Sequence, residues 1–244
     1  MLAIIGGSGL SKLGNMEVIR RKVARTPYGE PSGALTLGRI GSSEVVFLAR
    51  HGYGHTIAPH EVNYRANLWA LKEAGASEVV SVASVGAIRD ALHPGSLVIP
   101  HQVIDYTWGR HATFFEGRGV PVNHIDFTEP YSRAVREKLL AAAKACGEAV
   151  VDRGVYAATQ GPRLETAAEI DRLERDGADL VGMTGMPEAA LAREISLEYA
   201  TVAVVANFAA GRGDSQRAVP LEKIGAVLEE AMGRVRRIIE KCCE

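Results

Sequence analysis

Strand-like apolar runs alternate with helix-like patterns along this chain, and most of the runs break off at a glycine, a hydroxyl or a charged side chain. Such interleaving confines the chain to one α/β sandwich. In open α/β sheets, ligands bind beyond the strand ends, where these polar groups cluster. Leu180 to Glu194, LVGMTGMPEAALARE, shows the unit most compactly. A short strand end at Asp179–Gly182 runs into a turn where Gly182 and Gly185 allow a sharp bend. Pro187 suits the first residue of a helix, because its missing N–H would be unpaired there. The turn carries the Thr184 hydroxyl, the soft side chain of Met183 and N–H groups near a helix start. That combination can hold an anion beside an apolar ligand surface.

The remaining units follow in order. Leu2–Ile5 leads into Gly6-Gly7-Ser8-Gly9, a phosphate cradle of Ser8 and backbone N–H groups. It has neither GxGxxG spacing nor a Walker lysine. Strands are expected at Glu17–Ala24, Ala34–Ile40 and Glu44–Ala49. The last delivers Arg50 and His51, and a guanidinium there would grip phosphate as a bidentate fork. Val62–Ala74 reads as a helix stopped at Gly75. Val79–Val85 brings Ser84 to a strand end, but residue 82 is Val, so the GxSxG elbow of a serine hydrolase is missing. Ser96–Pro100 and Val103–Tyr106 continue the β pattern, and Thr107–Phe127 is irregular and aromatic-rich, a lid or a subunit contact. Ser132–Cys146 is a helix, and Val150–Ala158 is a strand broken at Gly154. Leu164 and Glu165 precede a capping box of Thr166 with Glu169. Tyr199–Ala206 is a buried strand ending at Asn207. A final helix from Pro220 to Lys241 turns Arg234, Arg236 and Arg237 to solvent.

The 244 residues suit one domain, with 47% apolar and 23% charged side chains. A formal net charge of −1 gives no electrostatic case for nucleic acid or an anionic membrane. Cys146, Cys242 and Cys243 show no metal spacing or disulfide framework and suit a reducing cytoplasm. The start, MLAIIGG, lacks the basic region of a signal peptide, and no apolar run is long enough to cross a bilayer. His51, His55 and His60 lie close together, but Gly and Pro break any shared helix face, so no metal site is expected.

Five motifs, GGSGL at 6–10, ARHG at 49–52, PHEVNYRANLWAL at 59–71, TQGPRLET at 159–166 and GMTGMPEAALARE at 182–194, together resemble the purine nucleoside phosphorylase family, in the branch that includes 5′-methylthioadenosine phosphorylase. The resemblance covers the chain as a single domain, 1–244. It implies a three-layer α/β sandwich with a mixed central sheet flanked by helices, and a homotrimer. It also implies phosphorolysis of a nucleoside to free base and pentose 1-phosphate, with phosphate as co-substrate and no metal or organic cofactor. By this resemblance Ser8, Arg50, His51 and Thr184 match phosphate positions, and Ser84 matches a position whose backbone N–H helps. The residue before Ser84 is usually polar in relatives and is Ala83 here. Met183 matches the residue packed under the ribose. Leu164 matches an aromatic position beside the base, so packing persists while ring stacking is lost. Arg50, His51 and Asn207 would carry the catalysis.

Two departures from methylthioadenosine phosphorylases bear on the substrate. Where those enzymes carry two aspartates facing the adenine edge, this chain has Asn207 and Ala209. An asparagine amide offers a donor to a 6-oxo group and an acceptor to a protonated N7. Glu165 matches a glutamate of 6-oxopurine phosphorylases that accepts N1–H, a hydrogen adenine lacks. At the 5′ end, Leu221 aligns with a histidine that serves the 5′-hydroxyl in 6-oxopurine phosphorylases, and an apolar wall suits a methylthio group. His124 matches a histidine that reaches this pocket from the neighbouring subunit in methylthio-specific relatives. The expected substrate is therefore a 6-oxopurine 5′-methylthionucleoside, 5′-methylthioinosine, with methylthioadenosine, or a broader set of 6-oxopurine nucleosides (inosine and guanosine), as the alternatives.

Overall fold

The computed structural model describes residues 1–10 and 13–244. In chain order its elements are β1 (Leu2–Gly6), β2 (Glu17–Lys22), β3 (Leu35–Ile40), β4 (Ser43–Ala49), α1 (Tyr64–Glu73), β5 (Glu78–Ala87), β6 (Leu97–Ile99), β7 (Gln102–Asp105), α2 (Arg133–Ala145), β8 (Val151–Asp152), β9 (Val155–Ala158), α3 (Ala167–Arg175), β10 (Leu180–Gly182), α4 (Glu188–Glu194), β11 (Glu198–Phe208) and α5 (Leu221–Cys242). Among the described residues, eleven strands form one sheet in the order β2-β3-β4-β1-β5-β10-β9-β7, with β11 on β5, β6 on β11 and β8 on β6. The sheet is mixed: β1 lies parallel to β4 and β5, whereas β10 runs antiparallel to β5.

Strands β1, β5 and β11 are buried almost throughout, as expected of parallel strands covered on both faces. Alternate residues serve opposite sides. Ala3 and Ile5 join a core with Leu68 and Leu71 of α1 and Leu191 of α4, while Leu2 and Ile4 join one with Leu139 of α2 and Val235 and Ile239 of α5. This gives the expected three layers. The helix starts are locally encoded. Asn63 and Ser132 cap α1 and α2 with their side chains, and Thr166 with Glu169 forms the expected capping box on α3.

Register creates the site. β1 pairs with β5 only as far as Ser81, and β10 takes over at Gly86 and Ala87, which leaves Val82–Val85 between the two strands. β11 runs along the other flank of β5 and shifts register between Val205 and Asn207. A bulge there re-aims the side chains beyond it, and the strand continues to Phe208 rather than stopping at Ala206.

Two surface expectations change. Arg234 is mostly covered, not solvated: it donates to Glu148 at 2.8 Å and to the Gly95 carbonyl at 2.9 Å, and Arg237 joins it on Glu148. The segment 107–127 has no helix or strand, but its first part is fastened down. Phe114 is buried beside Tyr28, and Thr113 Oγ1 and the Phe114 amide both donate to Glu194, at 2.6 and 2.7 Å. The three cysteines are free. No helix among the described residues is long and apolar enough to cross a membrane.

Candidate active site

A cavity of about 450 Å³ opens where β1, β5 and β10 part, a size suited to a small-molecule ligand. Ten of the twelve side chains singled out in the sequence line it: Ser8, Arg50, His51, Ser84, Leu164, Glu165, Met183, Thr184, Asn207 and Ala209. They come from six separate chain segments. His55, Thr56 and Ile57 join them from the loop after β4, and Val219 and Ile224 close the edge near α5. Among the described residues no group of His, Cys, Asp or Glu could hold a metal ion.

The Ser8–Thr184 end is built on a buried ion pair. The Arg50 guanidinium is fully enclosed; Nε donates to Glu188 Oε2 at 2.7 Å, Nη2 to Glu188 Oε1 at 2.8 Å and to Ser81 Oγ at 2.6 Å, and Nη1 to the Val82 carbonyl at 2.9 Å. Ser81 and the Tyr199 hydroxyl also donate to Glu188 Oε1, at 2.9 and 2.8 Å. The expected bidentate fork is therefore spent on Glu188. One Nη1–H remains, on the side of Gly7, where a Cβ would come within 3.0 Å of it. Burial by itself would lower the Arg50 pKa, but the Glu188 carboxylate outweighs it and raises the value, so the cation persists.

His51 Nδ1 lies 2.8 Å from the Ile57 carbonyl. A carbonyl can only accept, so the proton sits on Nδ1 and Nε2 is left as an acceptor. Burial and the Arg50 charge push the His51 pKa down to about 4, so the ring is neutral at physiological pH. Its ring centroid is 4.7 Å from that of His55.

At the other end, Thr159 Oγ1 donates to Glu165 Oε1 at 2.6 Å, which fixes the carboxylate and leaves Oε2 unused by that bond. Asn207 Nδ2 donates to the Phe208 carbonyl at 2.6 Å. That bond sets the amide orientation and keeps Oδ1 and one N–H available. Ala209, 2% exposed, forms a flat wall beside Gly86. Leu164 remains 40% exposed at the rim.

Three expectations are corrected, those for Leu221, for the glycine pair Gly182 and Gly185, and for Pro187. Leu221 does not line this cavity: it is 63% exposed and borders a shallower groove outside. α5 begins at Leu221 itself, so the helical turn carries Ile224 inward, and with Val219 it supplies the apolar edge. His124, expected to reach the pocket of a neighbouring subunit, is exposed and lies outside the cavity of its own chain. Gly182 and Gly185 are required for close packing more than for bending. A Cβ on Gly182 would overlap the Tyr156 hydroxyl, and one on Gly185 would lie 2.8 Å from the same ring. Pro187 is the cap of α4, one position before its first helical residue.

Glu188, Ser81 and Tyr156 were not identified from the sequence. For Glu188 a signal existed: it shares a helical face with Leu191 and Ala192, and all three are buried. Helical phase alone would have turned this carboxylate inward.

The chain matches the phosphorylase superfamily over residues 1–244. It is 53% identical over 239 residues to a probable S-methyl-5′-thioinosine phosphorylase of Pseudomonas syringae pv. tomato, covering 98% of this chain and 96% of that protein. It is 48% identical over 215 residues to a 6-oxopurine nucleoside phosphorylase of Pyrococcus furiosus, covering 86% and 80%. Methylthioadenosine phosphorylase from Schistosoma mansoni in complex with adenine superposes with a TM-score of 0.93 at 32% identity, over 99% of this chain and 90% of that one. The five motifs, the mixed sheet and the full-length matches agree, and the chain belongs to the phosphorylase superfamily.

Proposed function

We propose that this enzyme cleaves 5′-methylthioinosine with phosphate, giving hypoxanthine and 5-methylthioribose 1-phosphate. The observation that carries this reading is the pairing of Glu165, held by Thr159, with Asn207, held by the Phe208 carbonyl, in one cavity. Glu165 accepts the N1–H that a 6-oxopurine has and adenine lacks. Asn207 donates its N–H to O6 and accepts the N7–H at Oδ1. Val219 and Ile224 supply an apolar edge for the methylthio group. The relative of 53% identity carries a name of the same specificity.

In this mechanism the Ser8, Ser84 and Thr184 segments, the free Nη1–H of Arg50 and His51 seat the phosphate beneath the anomeric carbon, and Met183 packs under the sugar. Neutral His51 accepts a hydrogen bond from the P–OH of hydrogen phosphate. The glycosidic C–N bond breaks, its electron pair leaves with the purine, and a phosphate oxygen forms the new C–O bond. The proton that hydrogen phosphate loses on becoming an ester balances the one the base gains at nitrogen. Positioning and fixed donors supply the rate, with no covalent enzyme intermediate.

On this reading residues 1–244 act as one domain with no cofactor beyond the phosphate co-substrate. The enzyme works as a cytoplasmic homotrimer in which His124 reaches a neighbour's 5′ pocket, with neither nucleic acid nor membrane as partner. The 6-oxopurine phosphorylase relative favours one second reading, a broader enzyme that also takes inosine. Hypoxanthine release from methylthioinosine tests the proposal: it should require phosphate, and release independent of phosphate would refute it.

A further inference from the structure

We infer that Arg110 is a positioning residue that locks the sugar-facing turn at 183–186 to the base-facing loop at 159–162. Its Nη1 donates to the Met183 and Met186 carbonyls at 2.8 and 2.6 Å. Its Nη2 donates to the Gln160 and Thr159 carbonyls at 2.8 and 3.2 Å, and Nε to Gln160 Oε1 at 3.2 Å. All five N–H donors thus reach carbonyl oxygens of the two segments. The guanidinium also lies 5.5 Å from the Tyr64 ring centroid, with Nη1 3.3 Å from the Tyr64 hydroxyl.

The two segments carry the two halves of the nucleoside contact. Met183 and Thr184 stand on one, and Thr159, which orients Glu165, stands at the start of the other. They touch directly, since a Cβ on Gly161 would overlap the Met183 sulfur. Backbone carbonyls from two turns converging on one spot repel each other unless a cation collects them. A guanidinium does this better than an ammonium because its five donors radiate in a plane. Arg110 lies on the irregular segment after β7, so it is contributed by neither of the turns it joins. Its loss would let the sugar and base contacts drift relative to each other, and displacements of about 1 Å cost rates on the order of a hundredfold.

The inference rests on the phosphorolysis reading for its kinetic effect, so its test has an arm that needs no turnover. In Arg110→Ala, backbone amide exchange should rise in 159–162 and 183–186 together while β1 and α5 stay protected. With methylthioinosine, kcat/KM should fall by roughly tenfold to a hundredfold, through a higher nucleoside KM and a lower kcat, and phosphate KM should change less. Free guanidinium should restore part of the lost rate, and Arg110→Lys should lie between the two. Unchanged exchange in both segments would overturn the inference, as would a uniform rise across the whole chain. If Arg110→Ala does not fold, the same exchange comparison on Arg110→Lys decides. A wild-type enzyme inactive on nucleosides would defeat the proposed function, while the exchange result would still decide the role of Arg110.

Discussion

Arg50 and Glu188 form the pair on which the phosphate end of the cavity stands. Both are enclosed, and four donors converge on the two carboxylate oxygens. Removing one member of such a pair leaves a buried charge without compensation, at a cost of about 3–5 kcal/mol. Glu188→Ala should therefore lower the unfolding free energy from denaturant titration by that order and raise the phosphate KM, because Arg50 loses its anchor. A stable variant with normal phosphate KM would mean that Arg50 is held by other means. At the base end, Glu165→Ser with Asn207→Asp should shift activity from 6-oxopurine towards adenine nucleosides. Sites built on buried hydrogen bonds discriminate by about 10⁴–10⁵, so even a partial shift is measurable as a ratio of kcat/KM values. An unchanged ratio would remove both residues from base recognition.

Between elements, packing decides what local signals cannot. α3 announces itself through Thr166 and Glu169, three residues apart, and Gly154 marks the break between β8 and β9; both were legible because the signals are local. Ser8, Arg50, Met183 and Glu165 were legible through their motifs, although only the sheet register explains why they meet. Helical phase could have turned Glu188 inward, but nothing local pairs it with Arg50, 138 residues away. Nor does anything local pair Arg234 with Glu148, since helical periodicity registers apolar side chains and is silent on a cation that bends back to a loop. Ile224 lies nearly one turn beyond Leu221 on the same side of α5, so helical periodicity could not say which of the two reaches the cavity. Tight contact between β10 and Tyr156 gives an element-level test. Gly182→Ala should cost about 1–3 kcal/mol through overpacking and depress activity by displacing Met183. Adding Tyr156→Phe removes the overlapping hydroxyl and should recover part of both losses; no recovery would locate the strain elsewhere.

For the molecule as a whole, His51 links the site to global stability. Its pKa is pushed down to about 4 in the folded state, against about 6.5 for a solvated imidazole. Between those values the unfolded chain binds a proton that the folded chain refuses. The His51 contribution is therefore complete above pH 6.5 and is lost as pH falls towards 4, by about 3 kcal/mol at most. Denaturant midpoints from pH 7.5 to 4 should fall less steeply in His51→Gln than in wild type. Identical slopes would show that other groups dominate. The catalytic claim is tested most directly by base release from equal amounts of methylthioinosine, methylthioadenosine, inosine and adenosine, with and without phosphate. Phosphate-dependent turnover should be fastest on methylthioinosine, with inosine lower by about a hundredfold, as an apolar pocket allows, and both adenine nucleosides lower still. Preference for methylthioadenosine would contradict the roles given to Glu165 and Asn207. Preference for inosine would contradict the apolar 5′ edge of Val219 and Ile224.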